Sequence, residues 1–278
     1  MILSIEGEEK TGKTTLSYSG PLKVVGFQFD LGHDRAINGT KYNELFKGLN
    51  IKVVDYKEGK EPEQVWSNYD ITIYKLPRPI QIDQTRVHGA KELWHYFLKL
   101  YGPVLMDSKV GSIVIDTMTV ARKIKADAYL QELQELAEKR SSHMREQLTQ
   151  IEYGKNVNDP IREIYVGTGA QEKNLIAVHH LDDERVDQAV VQSDGSIKKD
   201  SVLTGNKVLE GLRDTYKHID VAVRQIKAKD KVQSRIEICG YDLSLVGRMI
   251  PDLTWDRLAN VISDTLGGRI TFDRRNHQ

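Results

Sequence analysis

Ile2-Leu3-Ser4-Ile5-Glu6-Gly7-Glu8-Glu9-Lys10-Thr11-Gly12-Lys13-Thr14-Thr15 is the stretch on which the reading of this chain turns. Ile2 to Ile5 reads as a short apolar strand. Thr14 to Ser19 begins a short helix that stops at the breaker pair Gly20-Pro21. Between strand and helix, Gly7 to Thr14 fits G-x-x-x-x-G-K-[ST] without a mismatch. The spacing has a physical reason. Glycines let the backbone wrap closely, so that successive amides point at phosphate oxygens. The helix that starts next adds the positive end of its dipole. Gly7, Glu8, Glu9, Lys10, Thr11, Gly12, Lys13, Thr14 and Thr15 are therefore expected to cradle the phosphates of ATP. Lys13 is placed to reach the β- and γ-phosphates, Thr14 offers a hydroxyl to Mg²⁺, and Thr15 falls near the α-phosphate.

Downstream, strands alternate with helices, which argues a mostly parallel sheet with helices on its faces. Lys23 to Asp30, Ile71 to Leu76, Gly111 to Asp116 and Asn174 to His180 read as apolar strands. Leu93, Trp94, Phe97, Leu98 and Tyr101 mark an amphipathic helix over 91–101 that is expected to end at Gly102-Pro103. Arg122 to Leu136 reads as another helix. From Val186 the texture changes. Val186 to Val202 alternates around the hairpin-type turn Asp194-Gly195. Val221 to Gln225 and Arg235 to Ile238 look like antiparallel strands, and Asp252 to Leu266 looks like a closing helix. One α/β domain over 1–270 is expected, with irregular or inserted segments at 36–70 and 141–172 and a flexible tail at 271–278.

Magnesium in such a site needs an acidic partner at the end of a neighbouring strand. Ser112-Ile113-Val114-Ile115-Asp116 supplies one; Asp116 or Thr117 can also cap the helix that follows. Asp30 ends the second strand and is a candidate for polarising the attacking water. His179 and His180 end the later strand, where a polar group can sense the γ-phosphate; a buried histidine can equally be a hydrogen-bonded core residue. The expected catalytic set is Lys13, Asp30, Asp116 and His179, with Thr14 and Asp116 on the metal.

Lys+Arg and Asp+Glu both number 40, so any nucleic-acid contact has to come from a local patch rather than from net charge. No apolar run is long enough to span a membrane. The first residues lack the basic start and long apolar core of a signal peptide. Cys239 is the only cysteine, which fits a reducing, cytoplasmic setting.

The order of these elements resembles the RecA-type P-loop ATPase core, especially the small phage-encoded ATPases built from that core alone. The loop Gly7 to Thr15, the segment Phe29-Asp30-Leu31-Gly32-His33, the strand Ile113-Val114-Ile115-Asp116-Thr117 and the strand Asn174 to His180 carry the resemblance. It implies a mainly parallel sheet extended by C-terminal antiparallel strands, ATP and Mg²⁺ as ligands, single-stranded DNA as partner, and a homo-oligomer in the host cytoplasm. The DNA loops of that family would map to about 141–172 and 181–206. The first holds Arg140, His143, Arg145, Lys155 and Arg162, with Lys173 just beyond it and Tyr153 and Tyr165 as stacking candidates. The second holds Arg185, Lys198 and Lys199, with Lys207 beside it, but also Asp182, Asp183, Glu184 and Asp187, and either charge set can equally be a solvated surface. Arg213, Arg224, Lys227 and Lys229 are candidates for a basic finger reaching a neighbouring subunit. One departure stands out: the family's catalytic glutamate falls on Gly32.

Two rival functions remain at this level. A small-molecule P-loop kinase would need an arginine-rich lid and an acceptor pocket, and no such lid stands out between the Asp116 and Asn174 strands. A slow nucleotide-dependent scaffold would tolerate Gly32 in place of an acid.

Overall fold

The computed structural model describes all residues except 31, 40–42, 82–84, 192–196, 213, 229–230 and 274–278. Its strands are β1 (Ile2–Gly7), β2 (Val24–Gln28), β3 (Ile51–Asp55), β4 (Ile71–Lys75), β5 (Ser112–Asp116), β6 (Asn174–His179), β7 (Leu181–Val191), β8 (Ile197–Leu209), β9 (Val221–Ala228), β10 (Lys231–Cys239) and β11 (Met249–Pro251). Its α-helices are α1 (Lys13–Ser17), α2 (His33–Asn38), α3 (Asn43–Phe46), α4 (Ala90–Met106), α5 (Met118–Lys139), α6 (Gln150–Glu152), α7 (Asp159–Ala170) and α8 (Trp255–Thr265).

Nine strands form one sheet in the order β11-β10-β9-β1-β6-β5-β2-β4-β3. Every neighbouring pair from β9 to β3 is parallel, whereas β10 and β11 join antiparallel at the other end. Every residue of β2, β5 and β6 is buried, as expected of parallel strands covered on both faces. One face packs Phe27, Ile113, Ile115 and Ala177 against α4, α5 and α7 through Phe97, Ile124, Ile161 and Tyr165. The other packs Leu3, Ile5, Val114 and Val178 against α1 and α8 through Leu16, Trp255, Leu258 and Ile262. Each such aliphatic side chain contributes about 1.5–3 kcal/mol on burial. The expected fold class is therefore observed: α/β, a mainly parallel sheet with helices on both faces, extended by C-terminal antiparallel strands.

Several local expectations change. Helix α4 does not stop at Gly102-Pro103 but carries Pro103 inside it. Pro103 and Lys99, whose carbonyl it leaves without a helical donor, both lie on the exposed face, where water can serve that carbonyl. Buried Val104 then anchors the last turn. Helix α5 starts four residues earlier than Arg122, because the Thr117 hydroxyl accepts the Val120 N–H at 3.2 Å and caps it. Strand β9 was expected to be antiparallel, but it lies parallel to β1 and antiparallel only to β10.

The segment 36–70 supplies the edge strand β3, and 141–172 is largely helical. It contains a π-helical stretch, Tyr153–Asn158, and then α7, whose Ile161, Ile164 and Tyr165 are core residues. β7 and β8 pair as a separate antiparallel sheet with Val186 opposite Val202, as the alternation implied; the Asp194-Gly195 turn and the last five tail residues lie outside the described residues. No helix among the described residues is long and apolar enough to cross a membrane.

Candidate active site

The loop between β1 and α1 closes over the C-terminal ends of the parallel strands, the face on which open α/β sheets bind ligands. Gly7 sits at φ 151° and Gly12 at φ 84°, backbone conformations that favour glycine. A Cβ on Gly7 would approach the Gln225 carbonyl to 2.8 Å, so the loop can follow β9 this closely only with glycine there. Lys13 folds back along the loop, its Nζ donating to the carbonyls of Gly7 at 2.7 Å and Glu8 at 2.6 Å. Burial lowers its pKa, opposed by the carboxylates of Asp116, Asp30, Glu9 and Glu8.

Asp116 ends β5 and is 1% exposed. Its Oδ2 accepts the Thr14 hydroxyl at 2.6 Å and the Gln28 side-chain amide at 3.1 Å. Burial raises its pKa, opposed by those two hydrogen bonds. Gln28 is itself braced: its Oε1 accepts the Tyr18 hydroxyl at 3.0 Å. Tyr18 reaches it across Gly26 in the middle of β2, where a Cβ would stand 2.3 Å from the Tyr18 hydroxyl.

Sheet register explains which side chains converge. Gln28 and Val178 both pair with Asp116, on β2 and β6 respectively. Partners in register point to the same face, and residues two apart along a strand do so again. Asp30 and His180 therefore share the face of Asp116, and His180 Nε2 stands 3.3 Å from Asp30 Oδ2. His179 points to the opposite face. It is 1% exposed, and its Nε2 lies 3.1 Å from the hydroxyl of Tyr165. Burial depresses its pKa to about 3, and His180 adds to the effect.

A cleft of about 350 Å³ collects Glu9, Lys10, Thr11, Gly12, Lys13, Thr14, Thr15, Asp30, Asp116 and His180. Of the residues expected from sequence, Gly7 and Glu8 form the loop behind it, and His179 is left in the core, with His180 in the place expected for it. Arg35 and Gly32 also line the cleft; a Cβ on Gly32 would lie 3.3 Å from the Thr14 hydroxyl. Sequence reading missed Gln28, Arg35 and Glu210. Glu210, at the exit of the β7–β8 hairpin, binds Lys123 at 2.5 Å and approaches His180 Nδ1 at 3.9 Å. Gln28 and the choice of His180 follow from the pairing of β2 and β6 with β5, which the sequence does not show, and Glu210 carried no local signal.

The donors fit magnesium. Thr14 and Asp116 place a hydroxyl and a carboxylate side by side, the hard oxygen ligands that the ion prefers. No cluster of three or more His, Cys, Asp or Glu side chains among the described residues can hold a metal unaided. The ion would therefore share its shell with phosphate oxygens and water, as magnesium in nucleotide sites commonly does.

The expected DNA and finger residues fare unevenly. Tyr165 is fully buried and cannot stack on a base. Lys173 donates to the carbonyls of Asp107 and Val110 at the opposite end of the sheet. Arg162 is held by Asp159 and Asp214, Arg145 by Glu152, and Lys207 by Asp183. Arg140, His143, Lys155 and Arg185 are exposed, whereas Tyr153 is half-buried beneath Arg122, whose guanidinium lies 5.3 Å from its ring centroid. Arg224 is no free finger: it binds fully buried Glu6 at 3.0 Å and Glu237 at 3.4 Å within its own chain. Lys227 is exposed, while Arg213, Lys229 and the side chains of Lys198 and Lys199 lie outside what is described.

No protein-family model matches the chain, and no curated protein matches it. Among solved structures it is similar to the crystal structure of the RadB recombinase, with 11% identity and a TM-score of 0.45, over 89% of this chain and 84% of that one. A likeness of that degree decides neither fold nor function; the fold class rests on the strand order described above.

Proposed function

We propose that the protein is a RecA-like P-loop ATPase that binds Mg-ATP and hydrolyses it to ADP and phosphate. The observation that carries this reading is the 2.6 Å contact between Thr14 and Asp116, which joins the phosphate loop to the carboxylate-ended strand. The amides of residues 8–13 and Lys13 hold the phosphates. Thr14 and Asp116 hold the magnesium, which when bound offsets the charge that develops on the phosphate oxygens. Asp30, its side chain 47% exposed beside His180, orients the attacking water. His180 senses the phosphate end of the cleft and is followed directly by the hairpin that starts at Leu181.

The reading extends to single-stranded DNA as partner and to a homo-oligomer of the phage type. Exposed Arg140, His143 and Lys155 after α5, and Arg185 on the hairpin, favour it, and it requires contact with a local patch rather than the neutral whole. The test is ATP hydrolysis by the purified protein with and without single-stranded DNA, at low and moderate salt. DNA stimulation that fades with salt is the expected result. Turnover indifferent to DNA would point instead to a kinase or a scaffold. Lys13→Ala should abolish tight nucleotide binding, since each charge-assisted contact from its ammonium to a phosphate is worth about 1.5–3 kcal/mol. An unchanged ATPase in that variant would overturn the site.

A slow, scaffold-like turnover is favoured by one observation. Gly32 presents no side chain at the point that overlies the Thr14 hydroxyl.

A further inference from the structure

We propose that Arg35 is a catalytic residue of the phosphate cleft: its guanidinium binds the γ-phosphate oxygens as the terminal phosphoanhydride bond breaks, so that no neighbouring subunit has to supply that cation. The proposal rests on the phosphate-loop reading and adds to it the group that meets the developing charge.

Position carries the argument. Gly32 has helical backbone angles at the start of α2, and its carbonyl accepts the Ala36 N–H at 3.3 Å, so the first turn is closed. A Cβ on Gly32 would stand 3.3 Å from the Thr14 hydroxyl. Residues three apart on a helix are neighbours, about 5–6 Å between Cβ atoms. Helical side chains also lean back towards the N-terminus, over the preceding turn. Arg35 is three residues beyond Gly32 and lines the same cleft, so its arm leads towards the space that Gly32 leaves open above Thr14. That is the magnesium end of the loop, where the terminal phosphates lie.

Charge and availability agree with position. Lys10 and Lys13 reach the cleft from the phosphate loop, whereas Arg35 brings its permanent charge from a second wall, α2. It is exposed, and no described residue pairs with it. Arg145, Arg162 and Arg224 are already held by carboxylates of their own chain. A glutamate at position 32 would stand one turn from Arg35 and take up its charge; glycine leaves the guanidinium free for phosphate. Its planar fork can bind two phosphate oxygens at once. In the step itself water forms a bond to the γ-phosphorus. The bond from that phosphorus to the bridging oxygen breaks, and its electron pair stays on ADP. One proton of the water passes to solvent and the other stays on the phosphate. A cation already in place where charge grows on these oxygens binds the transition state more tightly than the bound nucleotide.

The experiment compares the full chain with Arg35→Ala by calorimetric titration with Mg-ADP, with and without aluminium fluoride as a mimic of the transferring phosphate, and by turnover. The variant should lose about a hundredfold or more in kcat. It should bind Mg-ADP within about threefold of the parent and the aluminium fluoride complex about tenfold or more weakly. Its urea midpoint should not move, because an exposed, unpaired side chain has been removed. Adding the Lys13→Ala chain, which keeps Arg35, should restore nothing. Recovery in that mixture would place Arg35 in a neighbour's cleft and overturn the same-chain assignment. An Arg35→Ala chain that keeps the full gain from aluminium fluoride, or that loses Mg-ADP and the complex alike, would overturn the catalytic role. Failure of the unmodified chain to bind Mg-ADP at all would instead bring down the phosphate-loop reading, and the role of Arg35 with it.

Discussion

Thr14 and Asp116 lie 102 residues apart in sequence and 2.6 Å apart in space, hydroxyl to carboxylate. The pair ties the start of α1 to the end of β5. Asp116 has no exposure with which to recover the hydration lost on burial, so its cost is offset only by the donors that face it.

Asp116→Asn keeps the shape and removes the charge. Mg²⁺-dependent turnover should fall about a hundredfold or more, while nucleotide affinity measured in chelator changes about threefold or less. Equal losses in both would assign Asp116 to folding rather than to the metal. Because burial raises its pKa, its ionisation costs stability as pH rises from the ordinary aspartate value through the raised one. The asparagine variant should therefore be at least as stable as the parent at neutral pH by urea denaturation.

His180→Ala removes the group between Asp30 and Glu210. A drop in kcat of about tenfold or more with nearly unchanged nucleotide affinity is expected, because His180 touches the phosphate end of the cleft and not the loop amides. Loss confined to affinity would reassign it to binding.

Arg224→Ala leaves fully buried Glu6 without its cation, and the expected cost is about 3–5 kcal/mol of stability, read as a shift in the urea midpoint. Were Arg224 instead a finger serving a neighbouring subunit, the variant would keep its stability and lose only turnover. In that case adding protein that retains Arg224 but carries Lys13→Ala would restore activity.

His179 gives the fold a pH dependence of its own. Its pKa is about 3 in the folded chain against an ordinary 6.5, so between those values the unfolded state binds a proton that the folded state does not. The stabilisation is complete above about pH 6.5 and is lost as the pH falls towards 3, at up to about 1.4 kcal/mol per pH unit. His179→Gln should make the difference in unfolding free energy between pH 7 and pH 5 smaller by about 2 kcal/mol. A variant with the parent's full pH slope would show that His179 is not the titrating group.

What could be read from sequence was local. The phosphate loop lies between its own strand and helix, and Ser112 to Asp116 announces a buried strand with a charged end, so neither required knowledge of distant neighbours. The misreadings concern pairing. Nothing near Val221 says that β9 lies parallel to β1, because strand direction is set by a partner more than two hundred residues away. The choice between His179 and His180 turned on one residue of register, which sends a side chain to one face or the other. Arg145 and Arg162 are paired with Glu152 and Asp214, carboxylates that no sequence spacing announces, which leaves Arg140, His143 and Lys155 to carry the DNA reading of this segment. Tyr165 read as a stacking group until α7 carried it into the core.

Gly26 has a consequence beyond the site it serves. The Tyr18 ring fills the space where its side chain would stand, and the Tyr18 hydroxyl steadies Gln28 and, through it, Asp116. The two positions form one heritable unit: any descendant sequence that keeps the tyrosine must keep the glycine. A glycine at the centre of an apolar strand, eight residues after a tyrosine that follows the phosphate loop, is thus a fingerprint by which distant relatives sharing this internal brace can be told from those that have lost it.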